Sequence, residues 1–185
     1  MSPITHFLAG WVVANSANVT ARDRALVTIA GVAPDIDALG LIAELATRNS
    51  ENPLNWWSNY HHVLCHNLGF GLIITLLVFW LSVRRTAATL LALAVFHLHL
   101  LCDLAGSRGP EGYQWPIPYL LPFSGRLQLI WTGQWALNAW PNLFFTSILL
   151  GISFYLAWVR GYSPFECISK TADAALVSTL KKRFG

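Results

Sequence analysis

Charge is scarce in this chain. Charged residues make up 11% of its 185 residues, against roughly 25% in soluble domains. Apolar residues make up 55%, and the mean hydropathy is +0.48. Residence in a membrane is therefore the leading reading. Cysteine is scarce too: Cys65, Cys102 and Cys167 form no CxxC pair, and an odd, sparse set provides no disulfide framework. Low-complexity tracts and internal repeats are missing. The opening stretch MSPITHFLAGWVV has no basic n-region and no small-residue cleavage site, so it does not read as a signal peptide and is expected to be retained. The formal net charge of +3, without a basic helix or a stacking motif, gives no reason to expect nucleic acid as a partner.

What the chain has in abundance is long apolar segments. The length suits one domain, residues 1–185, ending in an amphipathic basic tail over 170–185. Residues 67–83, 86–105 and 141–159 read as transmembrane helices: at ~1.5 Å per residue, 17 to 20 residues cover about 25–30 Å, close to a hydrocarbon core. Two shorter segments, 6–19 and 25–33, precede them. They are short for a span and leave crossing open; the reading adopted is a partly buried hairpin packed on the longer helices. Residues 45–60 and 106–138 are rich in Gly, Pro, Trp and Tyr and read as interfacial loops with short helices. The predicted fold is an all-α integral membrane bundle of three long helices and an N-terminal helical hairpin.

The basic residues orient this bundle. If every segment alternates in direction, Arg22, Arg24, Arg84, Arg85, Arg160, Lys170, Lys181, Lys182 and Arg183 fall at one end, and only Arg48, Arg108 and Arg126 at the other. The positive-inside rule places the nine, and the C-terminal tail, in the cytoplasm. The same zigzag brings His6, Asp35, Asp37, His61, His62, His66, His99 and Asp103 to the opposite end, although no histidine or carboxylate was used to draw it.

Those residue types suit a metal. His99 and Asp103 are spaced i, i+4 and share a helix face, and His62 and His66 have the same spacing. Asp35 and Asp37 follow Pro34 in an expected turn, and two carboxylates that close repel unless a cation lies between them. Mixed His and Asp ligation suits zinc, with manganese or iron as alternatives, better than calcium. Six or more ligands exceed the four of one structural zinc, which implies one ion with supporting carboxylates or two ions. In a hydrolytic site, Asp35 or Asp37 could accept a proton from a water acidified to a pKa of about 7. Ionisable groups inside a membrane helix are costly and mark function. Other residues have plainer readings. His97 reads as a hydrogen-bonding histidine, because it points ~200° away from His99 on a helix. Cys65 and Cys102 read as helix-packing residues. Trp56, Trp57, Trp115, Trp131, Trp135 and Trp140 read as an interfacial belt.

Four stretches, THFLAG (5–10), GVAPDID (31–37), HHVLCHN (61–67) and HLLCD (99–103), resemble in order the motifs of the YdjM-like family of bacterial inner-membrane proteins, described as metal-dependent hydrolases. The family pattern looks like T-H-x-x-x-G, P-D-x-D, H-R-x-x-T-H-S and H-L-L-x-D, followed by Trp-Pro and Pro-Phe-Ser, here Trp115-Pro116 and Pro122-Phe123-Ser124. The resemblance covers residues 5–124. It implies His6, Asp35, Asp37, His61, His66, His99 and Asp103 as the polar set. The His-x-x-x-Asp element also resembles ligand pairs of zinc-dependent phospholipase C. The chain departs from the pattern in the third motif, where His62, Cys65 and Asn67 replace arginine, threonine and serine. This leaves open whether His61 or His62 is a ligand, and whether Arg108 or Arg126 takes the place of a phosphate-binding arginine.

The expected function is a membrane-bound, metal-dependent hydrolase of the inner membrane, with Asp35 and Asp37 as catalytic carboxylates. Its expected partners are membrane lipids and a lipid or lipid-linked phosphoester substrate. The alternatives are a non-catalytic metal carrier or a haem protein with axial histidines; the aspartates speak against haem, which needs no carboxylate cluster.

Overall fold

Helices α1, α2, α5 and α8 each begin where the sequence supplies a side-chain cap. The computed structural model describes residues 1–109 and 112–185. Helix α1 (Pro3–Ala14) has Ser2 as its N-cap, accepting from the Thr5 amide, and a proline in its first turn. Helix α2 (Ala21–Val32) opens with a reciprocal Thr20/Asp23 capping box. It runs on through a 3-10 turn, Ala33–Leu39, into α3 (Gly40–Thr47). The short α4 (Trp56–Tyr60) follows, then α5 (Leu68–Leu81), capped by Asn67. Helix α6 (Arg85–Gly106) is unbroken. Helix α7 (Trp140–Arg160) stops at Gly161, whose φ of 76° is the left-handed conformation glycine adopts freely. A 3-10 turn, Pro164–Cys167, leads to α8 (Lys170–Phe184). Among the described residues the only β pairing is two isolated bridges, Arg108 with Ala136 and Ile117 with Leu129, inside the 106–138 connection. Pro110 and Glu111 of that connection lie outside the described residues.

The bundle is all-α, with three helices long and apolar enough to cross a membrane: 21–47, α6 and α7. The division of lengths differs from the sequence expectation. The second arm of the hairpin is not short, because Pro34 sits in the first turn of the 3-10 segment, where a missing N–H costs little, and the helical run continues. Segment 67–83 contains the 14-residue α5, one of the shorter apolar helices with α1.

Close packing relies on small residues. A Cβ on Gly10 would lie 3.2 Å from the Thr28 Cα, and one on Gly31 would lie 3.4 Å from the Gly10 Cα. Helices α1 and α2 therefore meet glycine against glycine, as membrane helices commonly do. The core beside this crossing is Ala14, Val27, Ala30, Val78, Ala88, Ala92 and Val95. Leu72, Ile73, Leu76 and Trp80 of α5 and Leu143, Phe144 and Tyr155 of α7 are exposed, an outward apolar surface suited to lipid.

Polar contacts gather the helix ends into two levels. At one, Asp23 accepts from the Val83 and Arg84 amides at 2.7 and 3.2 Å, pinning the α5–α6 turn on α2. Arg24 forms a two-pronged pair with Glu166 at 2.7 and 2.6 Å, and Arg160 donates to the Asn15 carbonyl at 2.9 Å. The other level holds the histidines and the remaining buried aspartates.

Candidate metal centre

The centre is assembled from four places in the chain. Helix α1 provides His6, the 3-10 turn Asp35 and Asp37, the loop before α5 His61, His62 and His66, and α6 His99 and Asp103. In the loop, His62 takes a φ of 67°, rare for a residue with a side chain. That turn brings His61 and His62 to within 4.4 Å of each other, ring centre to ring centre, with His66 4.5 Å from His62.

Two groups of potential ligands result. His61, His62 and His66 form one; His6, Asp35, His99 and Asp103 form the other. Asp103 joins them. Its Oδ2 lies 2.9 Å from His99 Nε2, 3.3 Å from His66 Nε2 and 3.7 Å from His62 Nε2. Its Oδ1 lies 3.2 Å from His6 Nε2 and also meets the Met1 amino group.

Hydrogen bonds behind the rings decide what the inner atoms can do. Asp37 accepts from His61 Nδ1 at 2.6 Å and from His66 Nδ1 at 3.0 Å, while the Gly31 carbonyl accepts from His99 Nδ1 at 2.7 Å. A neutral imidazole that donates from Nδ1 presents a lone pair at Nε2. Burial lowers the pKa of His62 and His66, which favours the neutral, ligating form. The Nε2 atoms of His66 and His99 then lie 3.1 Å apart beside a carboxylate. Converging lone pairs at that distance repel unless a cation is held among them. Asp35 Oδ2 and both nitrogens of His62 are buried without a hydrogen-bond partner, where polar atoms normally find one. The residues fit a divalent ion, and the two groups joined by Asp103 could hold one or two.

Other expected residues are placed differently. Asp37 belongs to neither ligand group: both its oxygens are engaged by His61, His66 and the Cys65 amide. His97 faces away from the centre, with its ring nitrogens on the Leu93 carbonyl and the Tyr119 hydroxyl at 2.8 and 2.9 Å. Cys65 lies in the loop rather than on a packed helix. Arg108 gives its Nε to the Gln134 carbonyl at 2.6 Å, and Arg126 is exposed; neither is paired with the ligand groups. Trp115 leaves the interfacial belt. It is 4% exposed and packs on His61 and His62, with ring centres at 4.7 and 4.8 Å.

Gln134 carries no motif and was not anticipated. Buried at 1% exposure, it donates to the Asp103 carbonyl at 2.9 Å and accepts from the Trp115 amide at 3.0 Å. It thus ties the end of α6 to the tryptophan that roofs the histidines. Nothing local in the sequence sets it apart from Gln114 and Gln128 in the same connection.

No curated protein and no solved structure matches the chain. A family model described as YdjM inner membrane protein matches residues 1–171, a stretch that takes in every residue of the centre and stops two residues into α8. The chain belongs to the YdjM inner membrane protein family.

Proposed function

We propose that this protein is a metal-dependent hydrolase working at the membrane interface on a lipid or lipid-linked phosphoester. The observation that carries the reading is the position of Asp103 between two groups of converging histidines, three of which (His61, His66 and His99) have their Nδ1 sides already engaged. Histidine with carboxylate favours zinc, then manganese or iron. When bound, such an ion supplies Lewis acidity and a water with a pKa of about 7. Asp35, with a free buried oxygen, is the carboxylate placed to accept a proton. Asp37 is a positioning residue: it orients His61 and His66 and does not meet the reacting atoms.

The lipid part of the reading rests on a groove. A cavity of about 560 Å³ is lined by Val63, Leu64, Asn67, Phe70, Leu121 and Pro122 among others. Its wall includes Leu64 and Asn67, which bracket His66 in the chain, so an apolar chain lying there keeps its polar end near the centre. Sidedness is part of the proposal: the nine basic residues and α8 face the cytoplasm, and the centre faces the opposite side.

Haem is disfavoured by spacing, since the rings of His6 and His99, His62 and His66, and His66 and His99 are centred 3.7, 4.5 and 5.0 Å apart, with no room for a macrocycle between them. A non-catalytic metal carrier is favoured by one observation: His62 and His66 are fully buried, and His99 is 1% exposed. Purified protein decides between the two. Elemental analysis is expected to find about one or two ions per chain. Hydrolysis of a headgroup-labelled phospholipid should stop on chelation and return with zinc. Metal that exchanges freely without turnover on any phosphoester would select the carrier. A folded chain that takes up no metal would remove both readings.

A further inference from the structure

At the far end from the metal centre, α7 and α8 enclose a second apolar groove of about 330 Å³, lined by Phe154, Tyr155, Trp158, Leu180 and Phe184. It opens outward: Phe154, Tyr155 and Phe184 are 42%, 59% and 62% exposed. Because α7 is long and apolar enough to cross a membrane, its last two turns lie at interfacial depth, where Tyr and Trp are at home.

Cations flank this groove on both sides. Leu180 and Phe184, four apart, share one face of α8. At ~100° per residue, Lys181 lies about 80° to one side of that face, Arg183 about 80° to the other, and Lys182 about 180° away. Gly161, at the C-terminus of α7, fixes one of these positions: a Cβ built on it would lie 3.5 Å from the Lys181 Nζ. The Lys181 ammonium therefore sits under the α7 terminus at the rim of the groove. No carboxylate is paired with Lys181 or Arg183 among the described residues within ion-pair distance. The match to the family model ends at residue 171, so most of α8, and all three of these cations, lie outside it.

We propose that the α7–α8 junction binds an anionic phospholipid, with an acyl chain against Trp158 and Leu180 and the phosphate between Lys181 and Arg183. An aromatic groove without cations would accept any lipid, and cations without a groove would attract an anionic surface diffusely. The combination selects one molecule by charge and holds it by its chain. The site is separate from the metal centre and does not depend on its chemistry.

The test uses the full-length protein in detergent, titrated with dioleoyl phosphatidylglycerol or dioleoyl phosphatidylcholine and read by native mass spectrometry. The expected result is one retained phosphatidylglycerol per chain, bound about tenfold or more tightly than phosphatidylcholine, as two cations near a phosphate imply. Lys181→Gln or Arg183→Gln should each cost about fivefold for the anionic lipid, and Lys182→Gln should cost little. Leu180→Trp, which fills the groove and keeps every charge, should weaken both lipids. Equal losses from all three charge variants would show a diffuse basic tail and overturn the site. Undiminished lipid retention by Leu180→Trp would do the same. The three charge variants alter exposed side chains only, so they decide the matter even if Leu180→Trp disturbs α8.

Discussion

The carboxylate of Asp37 accepts the Nδ1 hydrogen of His61 at 2.6 Å, and this pairing, repeated on His66 at 3.0 Å, makes Asp37 an orienting group. A ligand and an orienting group fail differently when altered. Removing an outer partner of a metal-bound histidine typically costs 10–100-fold in affinity, whereas removing a shared ligand destroys the site. Asp37→Asn is therefore expected to weaken metal binding by about 10- to 100-fold in competition with a chromogenic chelator, and Asp103→Ala to abolish it. Complete loss in Asp37→Asn would restore Asp37 as a direct ligand.

The two histidines of HLH on α6 give the sharpest contrast. His99 Nε2 lies 2.9 Å from Asp103, whereas His97 is bonded to Leu93 and Tyr119. His99→Ala should leave detergent-purified protein without metal, and His97→Ala should leave the content unchanged. If both lose metal equally, the reading of the α6 face is wrong.

His62 is the residue whose importance rises most. Its nitrogens are buried and unpartnered, and it sits in the three-histidine group. His62→Ala is expected to lower the metal content by about one ion per chain in a two-ion centre while His99 and Asp103 hold the remainder. An unaltered stoichiometry together with unaltered affinity would mark His62 as packing only.

How far the sequence reaches is clear from such pairs. His99 and Asp103 were legible because helical spacing alone stacks them. The two levels of the bundle were legible because basic residues and histidines segregate along an alternating chain. The joint approach of His61 and His62 to the centre was not, because it depends on a positive φ at His62 that no period predicts. Asp37 reads as a ligand because two nearby carboxylates imply a cation; its hydrogen bonds to two imidazoles 24 and 29 residues away are not visible in any local spacing. The end of α2 was legible, but the continuation of the helical run to residue 47 was not, because Pro34 usually ends a helix and here sits in the first turn of a 3-10 segment. Trp115 looked interfacial by composition, yet the Gln134 bond to its amide draws it inward.

Asp23 offers a test of the fold apart from the chemistry. It is fully buried, completes the α2 capping box and accepts from two amides of the α5–α6 turn. Asp23→Ala strands those donors and removes a cap, at about 1–3 kcal/mol for an orphaned buried donor and about 1 kcal/mol for the cap. A clear fall in the thermal midpoint in detergent is expected. The neighbouring Arg22→Ala, on an exposed residue, should change stability by less than about 0.5 kcal/mol. Equal behaviour of the two variants would remove Asp23 as the anchor of the turn.

Orientation is the last expectation, and it rests on charge. Nine of the twelve basic residues lie at the end of α8 and the α5–α6 turn, and loop lysines and arginines favour the cytoplasm. If the α1–α2 hairpin is set aside, seven still stand against three, so the bias does not depend on whether α1 spans. The contacts of Asp23 with the α5–α6 turn and of Arg24 with Glu166 place the hairpin tip at that same end in any case. Gln128, in the 106–138 connection, and Thr179, on α8, are both exposed and suit accessibility labelling in a background with the three native cysteines replaced by alanine. A cysteine at 128 is expected to react with a membrane-impermeant maleimide in spheroplasts, and one at 179 only after lysis. The reverse pattern would put the metal centre on the cytoplasmic face and the α7–α8 lipid groove in the outer leaflet. The ligand geometry would stand unaltered, but the source of any lipid-linked substrate would move to the other side of the membrane.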